Sequence, residues 1–118
     1  MKLEDLVPPL ELCKKIPAGE FAESVLVYHS ENGWILNRAN DLFGDEPIVP
    51  APTLAEILAA MADAPMRFRT VTCDADGLKD FCVWANIPRR GRPGEDLTEE
   101  KDANPATAAL KLWLEVRK

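Results

Sequence analysis

Apolar and polar positions along the chain alternate between two periods, and proline, glycine and acidic residues punctuate the changes. Leu10 to Ile16 predicts a short helix, with Pro9 in its first turn, where the missing N–H goes unused. Leu10, Cys13, Leu12 and Ile16 supply its buried side, and Pro17-Ala18-Gly19 ends it. Ser24 to Ser30 predicts a strand through Val25, Leu26, Val27 and Tyr28. Asn32-Gly33 follows, a dipeptide suited to the positive φ angles of a type I′ turn. Trp34, Ile35 and Leu36 begin the returning strand. A two-residue turn sets Glu31 against Trp34, Ser30 against Ile35 and Tyr28 against Asn37.

Asn40 to Ala51 is an acidic, proline-bearing connection whose Leu42, Phe43, Ile48 and Val49 need cover. Thr53 opens a second helix, with Glu56 placed three residues on to complete a capping box. Leu54, Ile57, Leu58 and Met61 fall at i, i+3, i+4 and i+7, one apolar stripe. Met66 to Cys73 and Leu78 to Ile87 predict a second antiparallel pair, joined at Asp74-Ala75-Asp76-Gly77. Pro88 to Ala103 carries charge, glycine and proline and predicts a mobile loop. Asn104-Pro105 caps and opens the last helix, which buries Ala106, Leu110, Trp113 and Leu114.

The predicted order is α-β-β-α-β-β-α. It describes one α+β domain over residues 1–118, a two-layer body with a four-stranded antiparallel sheet made of two hairpins and covered by helices. A chain of 118 residues, 47% of them hydrophobic, can bury a core without disulfide or metal staples. Its longest apolar runs, such as Phe81 to Ala85, fall far short of a membrane span. The acidic start Met1-Lys2-Leu3-Glu4-Asp5 lacks the apolar run of an export signal, so the expected location is the cytoplasm.

The formal net charge of −6 disfavours nucleic acid as a general partner, because neutralising phosphate needs a cationic face. Charge is uneven: Arg67, Arg69, Arg89, Arg90 and Arg92 lie in the second half, and Glu20, Glu23, Glu31, Asp41, Asp45 and Glu46 in the first. Cys13, Cys73 and Cys82 read as small buried hydrophobes, with a Cys73–Cys82 pair open only if their strands bring them face to face.

No constellation of catalytic groups is legible. The single histidine, His29, stands between Tyr28 and Ser30, far along the chain from every cysteine, and no phosphate-cradling glycine loop, HExxH or CxxC occurs. Asp74, Asp76, Gly77 and Asp80 have the oxygen donors of a calcium loop, yet no glutamate closes it, and Asp and Gly are what a hairpin turn requires. No catalytic residue, metal or cofactor is therefore expected. Two surface readings remain. Tyr28 and Trp34 beside the first turn suit a protein partner, or a second copy of the chain in a homodimer. Arg89, Arg90 and Arg92 could grip phosphate or carboxylate through forked guanidinium contacts.

Three phrases carry a resemblance: Leu10-Glu11-Leu12-Cys13-Lys14-Lys15-Ile16-Pro17-Ala18-Gly19-Glu20-Phe21, Pro50-Ala51-Pro52-Thr53-Leu54-Ala55-Glu56-Ile57-Leu58, and Asn104-Pro105-Ala106-Thr107-Ala108-Ala109-Leu110-Lys111-Leu112-Trp113-Leu114. Together the chain resembles small uncharacterised proteins encoded by bacteriophages and prophages of gut-type bacteria. The resemblance rests on capping and packing signatures, and it implies a cytoplasmic accessory protein with no activity to carry onto any residue.

Overall fold

The computed structural model describes residues 3–30, 33–41, 47–64, 68, 70–76, 80–89 and 93–117. After a 3₁₀ turn at Leu3–Leu6 the elements are α1 (Leu10–Cys13), β1 (Leu26–Ser30), β2 (Trp34–Arg38), β3 (Ile48–Pro50), α2 (Leu54–Ala62), β4 (Thr70–Asp76), β5 (Asp80–Pro88), β6 (Glu95–Asp102) and α3 (Pro105–Arg117). The α+β class stands. The single four-stranded sheet does not: the strands form two three-stranded antiparallel sheets, ordered β2-β1-β3 and β4-β5-β6.

Two strands escaped the sequence pattern. Ile48–Pro50 pairs with β1 inside the proline-bearing connection. Glu95–Asp102, expected as part of the 88–103 loop, runs antiparallel to β5 from Pro88↔Glu95 to Phe81↔Asp102. Its residues are charged on both faces, so hydrophobicity does not alternate even though its exposure does. An edge strand tolerates this because its charges reach water from either side.

The first hairpin forms in a shifted register. Ser30 faces Trp34, His29 faces Ile35 and Tyr28 faces Leu36, leaving three residues in the connection. A one-residue slip exchanges the two faces of a strand. The expected register would oppose Tyr28 with Asn37, whereas the observed one sets Tyr28 beside Leu36, and both belong to the core. Gly33 carries a φ of 123°, open to a residue without Cβ. Asn32 lies outside the described residues.

The helix starts follow their sequences. Thr53 Oγ1 accepts from Glu56 N–H at 3.3 Å while Glu56 Oε1 accepts from Thr53 N–H at 2.8 Å, a complete capping box. The same carboxylate reaches further: Oε1 accepts from the buried Ser24 hydroxyl at 3.0 Å and Oε2 from Val25 N–H at 3.1 Å. Glu56 thus ties α2 to the entry of β1. At α3, Asn104 Oδ1 accepts from Ala106 and Thr107 N–H at 2.9 and 3.2 Å, and its Nδ2 donates to Val7 O at 2.8 Å. Asp102 accepts from Asn104 N–H and from Lys111 at 3.0 Å each. Burial pushes the Asp102 carboxyl up, but those donors outweigh it and hold it below its usual range.

Residues 106 to 110, with Leu112 and Trp113, are all buried. β5 and β6 lie against α3, and α2 and α1 flank it. Phe21 reaches Trp113 at 4.9 Å between ring centroids, from a backbone with φ 56° that a bulky residue rarely adopts. Trp113→Ala is expected to cost about 3–5 kcal/mol by removing a large buried ring, and urea unfolding measures it. Glu56→Ala is expected to cost about 2–4 kcal/mol, because the cap is lost and a buried hydroxyl and an N–H lose a charged acceptor.

Candidate functional site

Side chains on neighbouring antiparallel strands share a face when their residues are paired, and alternate along each strand. Leu26, Tyr28, Leu36 and Val49 therefore line the core side of the first sheet, in agreement with their place in the hydrophobic cluster. The opposite side carries a row of Ile35, His29 and Ile48 across the three strands, since His29 pairs with both isoleucines. Ile35 is 48% exposed and Ile48 53%, while His29 between them is buried. Val25, on the same side, is 61% exposed. The buried Val27 completes this surface outside the core cluster.

Tyr28 and Trp34 do not form a joint surface patch. Both project from the core side of the sheet, where Tyr28 is 9% exposed and its hydroxyl donates to Pro8 O at 2.9 Å. Burial, then the Cys13 thiol and Glu4, push its phenol up to about 12. Trp34 at the sheet end stays 39% exposed, with Lys14 Nζ 5.2 Å from its ring centroid. The signal that sequence reasoning missed is Ile35 and Ile48: one sat in a misregistered strand, the other in a presumed loop.

The second sheet separates Cys73 from Cys82. Cys73 pairs with Val83 and Asp74 with Cys82, so the thiols sit diagonally but on opposite faces, and neither is in a disulfide. Cys73 lies on the core side, where burial and then Asp74 push its thiol up. Cys82 faces outward and donates to Glu99 Oε2 at 3.6 Å. Around it Trp84, Leu97, Glu99, Lys101 and Asp74 line a shallow groove of about 410 Å³. Cys13 is buried; it donates to Pro8 O at 3.5 Å, and burial pushes its thiol up to about 12.

Asp74, Asp76 and Asp80 belong to the β4–β5 hairpin, with Asp76 facing Asp80. Among the described residues no group of three or more His, Cys, Asp or Glu side chains could hold a metal ion. A cavity of about 620 Å³ opens between the starts of α2 and α3, lined by Leu6, Leu54, Phe81 and Ala106 with Asp5 and Thr53, and holds neither histidine nor cysteine. Arg89 Nε donates to Asp96 Oδ1 at 2.9 Å across the β5–β6 hairpin, so its guanidinium already has a carboxylate. Arg90 and Arg92, like Arg67 and Arg69, lie outside the described residues. Among the described residues no helix is long and apolar enough to cross a membrane.

No protein-family model, curated protein or solved structure matches the chain.

The raised Cys13 thiol has a consequence for stability. The unfolded chain releases this proton near the ordinary thiol value of 9.0, the folded chain only at about 12. Its contribution is fully present below pH 9 and is lost as pH climbs toward 12. Denaturant midpoints are expected to fall over that window, less steeply in Cys13→Ala, with Tyr28 adding its own loss above 10.

Proposed function

We propose that this is a non-enzymatic accessory protein of phage or prophage type, acting through protein–protein contact at the outer face of its first sheet. One observation carries the reading. Ile35 and Ile48, two β-branched side chains paired across His29, stand on one side of one small sheet at 48% and 53% exposure, with Val25 at 61% just before β1. Apolar side chains gathered on one face keep water on a surface that another chain could cover. Scattered single hydrophobes would carry no such meaning.

The competing reading is a small-ligand or nucleic-acid binding module that uses Arg89, Arg90 and Arg92. It has less support, because Asp96 already engages Arg89 and Glu95 pairs with the adjoining Pro88. Salt-sensitive affinity for polyanions would be its mark.

The test uses Ile35→Lys combined with Ile48→Lys. Both residues are exposed, so the double variant is expected to stay within about 1 kcal/mol of the parent in thermal unfolding. Immobilised parent chain is expected to retain a stoichiometric protein from phage-infected host lysate that the double variant releases. Equal retention by both, or retention abolished only by replacing Arg89, Arg90 and Arg92, overturns the reading.

A further inference from the structure

The hydrogen-bond pattern of the first sheet shows which of its edges can accept another strand. Ala39 N–H donates to Val25 O at 2.8 Å, whereas Ala51 N–H donates to Leu26 O at 3.0 Å and Ser30 N–H to Pro47 O at 3.3 Å. Bonded pairs alternate along an antiparallel ladder. The odd residues of β1 therefore serve β2, and the even residues serve β3. Ile35 and Asn37 are the β2 residues bound to β1, so Trp34, Leu36 and Arg38 turn their main-chain N–H and C=O groups away, along the outer edge. Among the described residues only Arg38 N–H meets an acceptor there, its neighbour Asn37 Oδ1 at 2.8 Å.

The other edges are guarded. By the same alternation Pro50 faces outward on β3, a strand of three residues, and proline has no N–H to offer. On β6, Glu95, Asp96, Glu99, Glu100 and Asp102 oppose Lys101 alone, a charge that repels another copy of the same strand. β4 lies beside α2. β2 alone reads Trp-Ile-Leu-Asn-Arg, without proline or acid.

We infer that the chain pairs with a second copy of itself along β2, the two strands running antiparallel about a two-fold axis at Leu36. This register matches all five residues of the strand. Leu36 opposes Leu36 of the partner subunit, Ile35 opposes Asn37 of the partner subunit, and Trp34 opposes Arg38 of the partner subunit. Trp34 meets a guanidinium twice over, once at each end, which is the complementarity a two-fold interface requires. Because one edge of each copy is used and the others are guarded, association closes at two chains. The product is one six-stranded sheet whose outer side joins the two exposed isoleucine rows. The inference rests on the reading of the first sheet as the contact surface and names the partner that meets its edge.

Sedimentation equilibrium of the full chain tests it. The mass is expected to rise with concentration toward twice 13.1 kDa and to stop there. Arg38→Pro places a ring where the partner strand must approach, at an exposed residue whose N–H is not used by β1, and is expected to weaken association about tenfold or more. Leu36→Cys is expected to form an oxidised dimer cross-linked between residues 36 of both chains, because directly opposed strand residues lie within disulfide reach. A mass that stays at one chain throughout overturns the inference. So does a dimer that lacks the 36–36 link and is indifferent to Arg38→Pro, or β2 pairing only with an added extended peptide. If the chain is monomeric while Ile35→Lys with Ile48→Lys still releases a host protein, only the self-pairing fails. Equal retention by parent and double variant removes the broader reading instead.

Discussion

The architecture depends on a helix with no wet side in its first turns. Ala106, Ala108, Ala109 and Leu110 are fully buried or nearly so, and even Thr107 between them is covered. A helix buried all round needs neighbours on every side. Alanine makes that possible, since small side chains let backbones approach closely while favouring the helix intrinsically. The second sheet supplies one side directly through β5 and β6; α1 and α2 supply others.

The first sheet is attached differently. Its links to the rest of the molecule include two polar joints, Tyr28 to Pro8 O and the Glu56 carboxylate to Ser24 and Val25 N–H. The Glu56 bonds are charge-assisted, and both joints fix position and angle as well as adding stability. Glu56 has a double duty in consequence: it completes the cap of α2 and sets where β1 begins. On the opposite side His29 and Val27 are buried, while Ile35 and Ile48 at its flanks stay about half exposed. The two edges of this sheet differ, because β3 carries a proline and β2 does not.

The parts of this fold legible in the sequence were those governed by local chemistry. Thr53 with Glu56 and Asn104 with Pro105 mark helix starts because the groups that satisfy the first-turn N–H donors are neighbours in the chain. The hairpins were also legible, as pairs of β-prone runs around turn residues. What failed depends on distant partners. Ile48–Pro50 is too short to show a period and becomes a strand only because β1 has a free edge beside it. Glu95–Asp102 is recruited by β5 despite its charge. The register of the first hairpin was decided by the core, which pulls Tyr28 and Leu36 to one side, and that same choice turned Tyr28 inward and left Ile35 outside. The burial of Tyr28 thus has the same cause as the shift in register.

Charge shows the same dependence on context. Composition presents −6 as a property of the whole surface and sets an arginine-bearing half against an acidic one. In the fold, much of that acid stands in a single row, since β6 carries five carboxylates against one lysine. Several have local partners: Asp96 holds Arg89, Asp102 holds Lys111 beside the α3 cap, and Glu99 accepts from Cys82. Together they line an edge whose alternate residues would otherwise offer open main chain to any passing strand. Acid placed there opposes end-to-end growth of sheets more effectively than the same charge spread over loops, because repulsion acts where two edges would have to meet. The most charged segment of the chain is therefore a strand whose side chains discourage its own backbone from pairing, and its composition is what made it read as a loop.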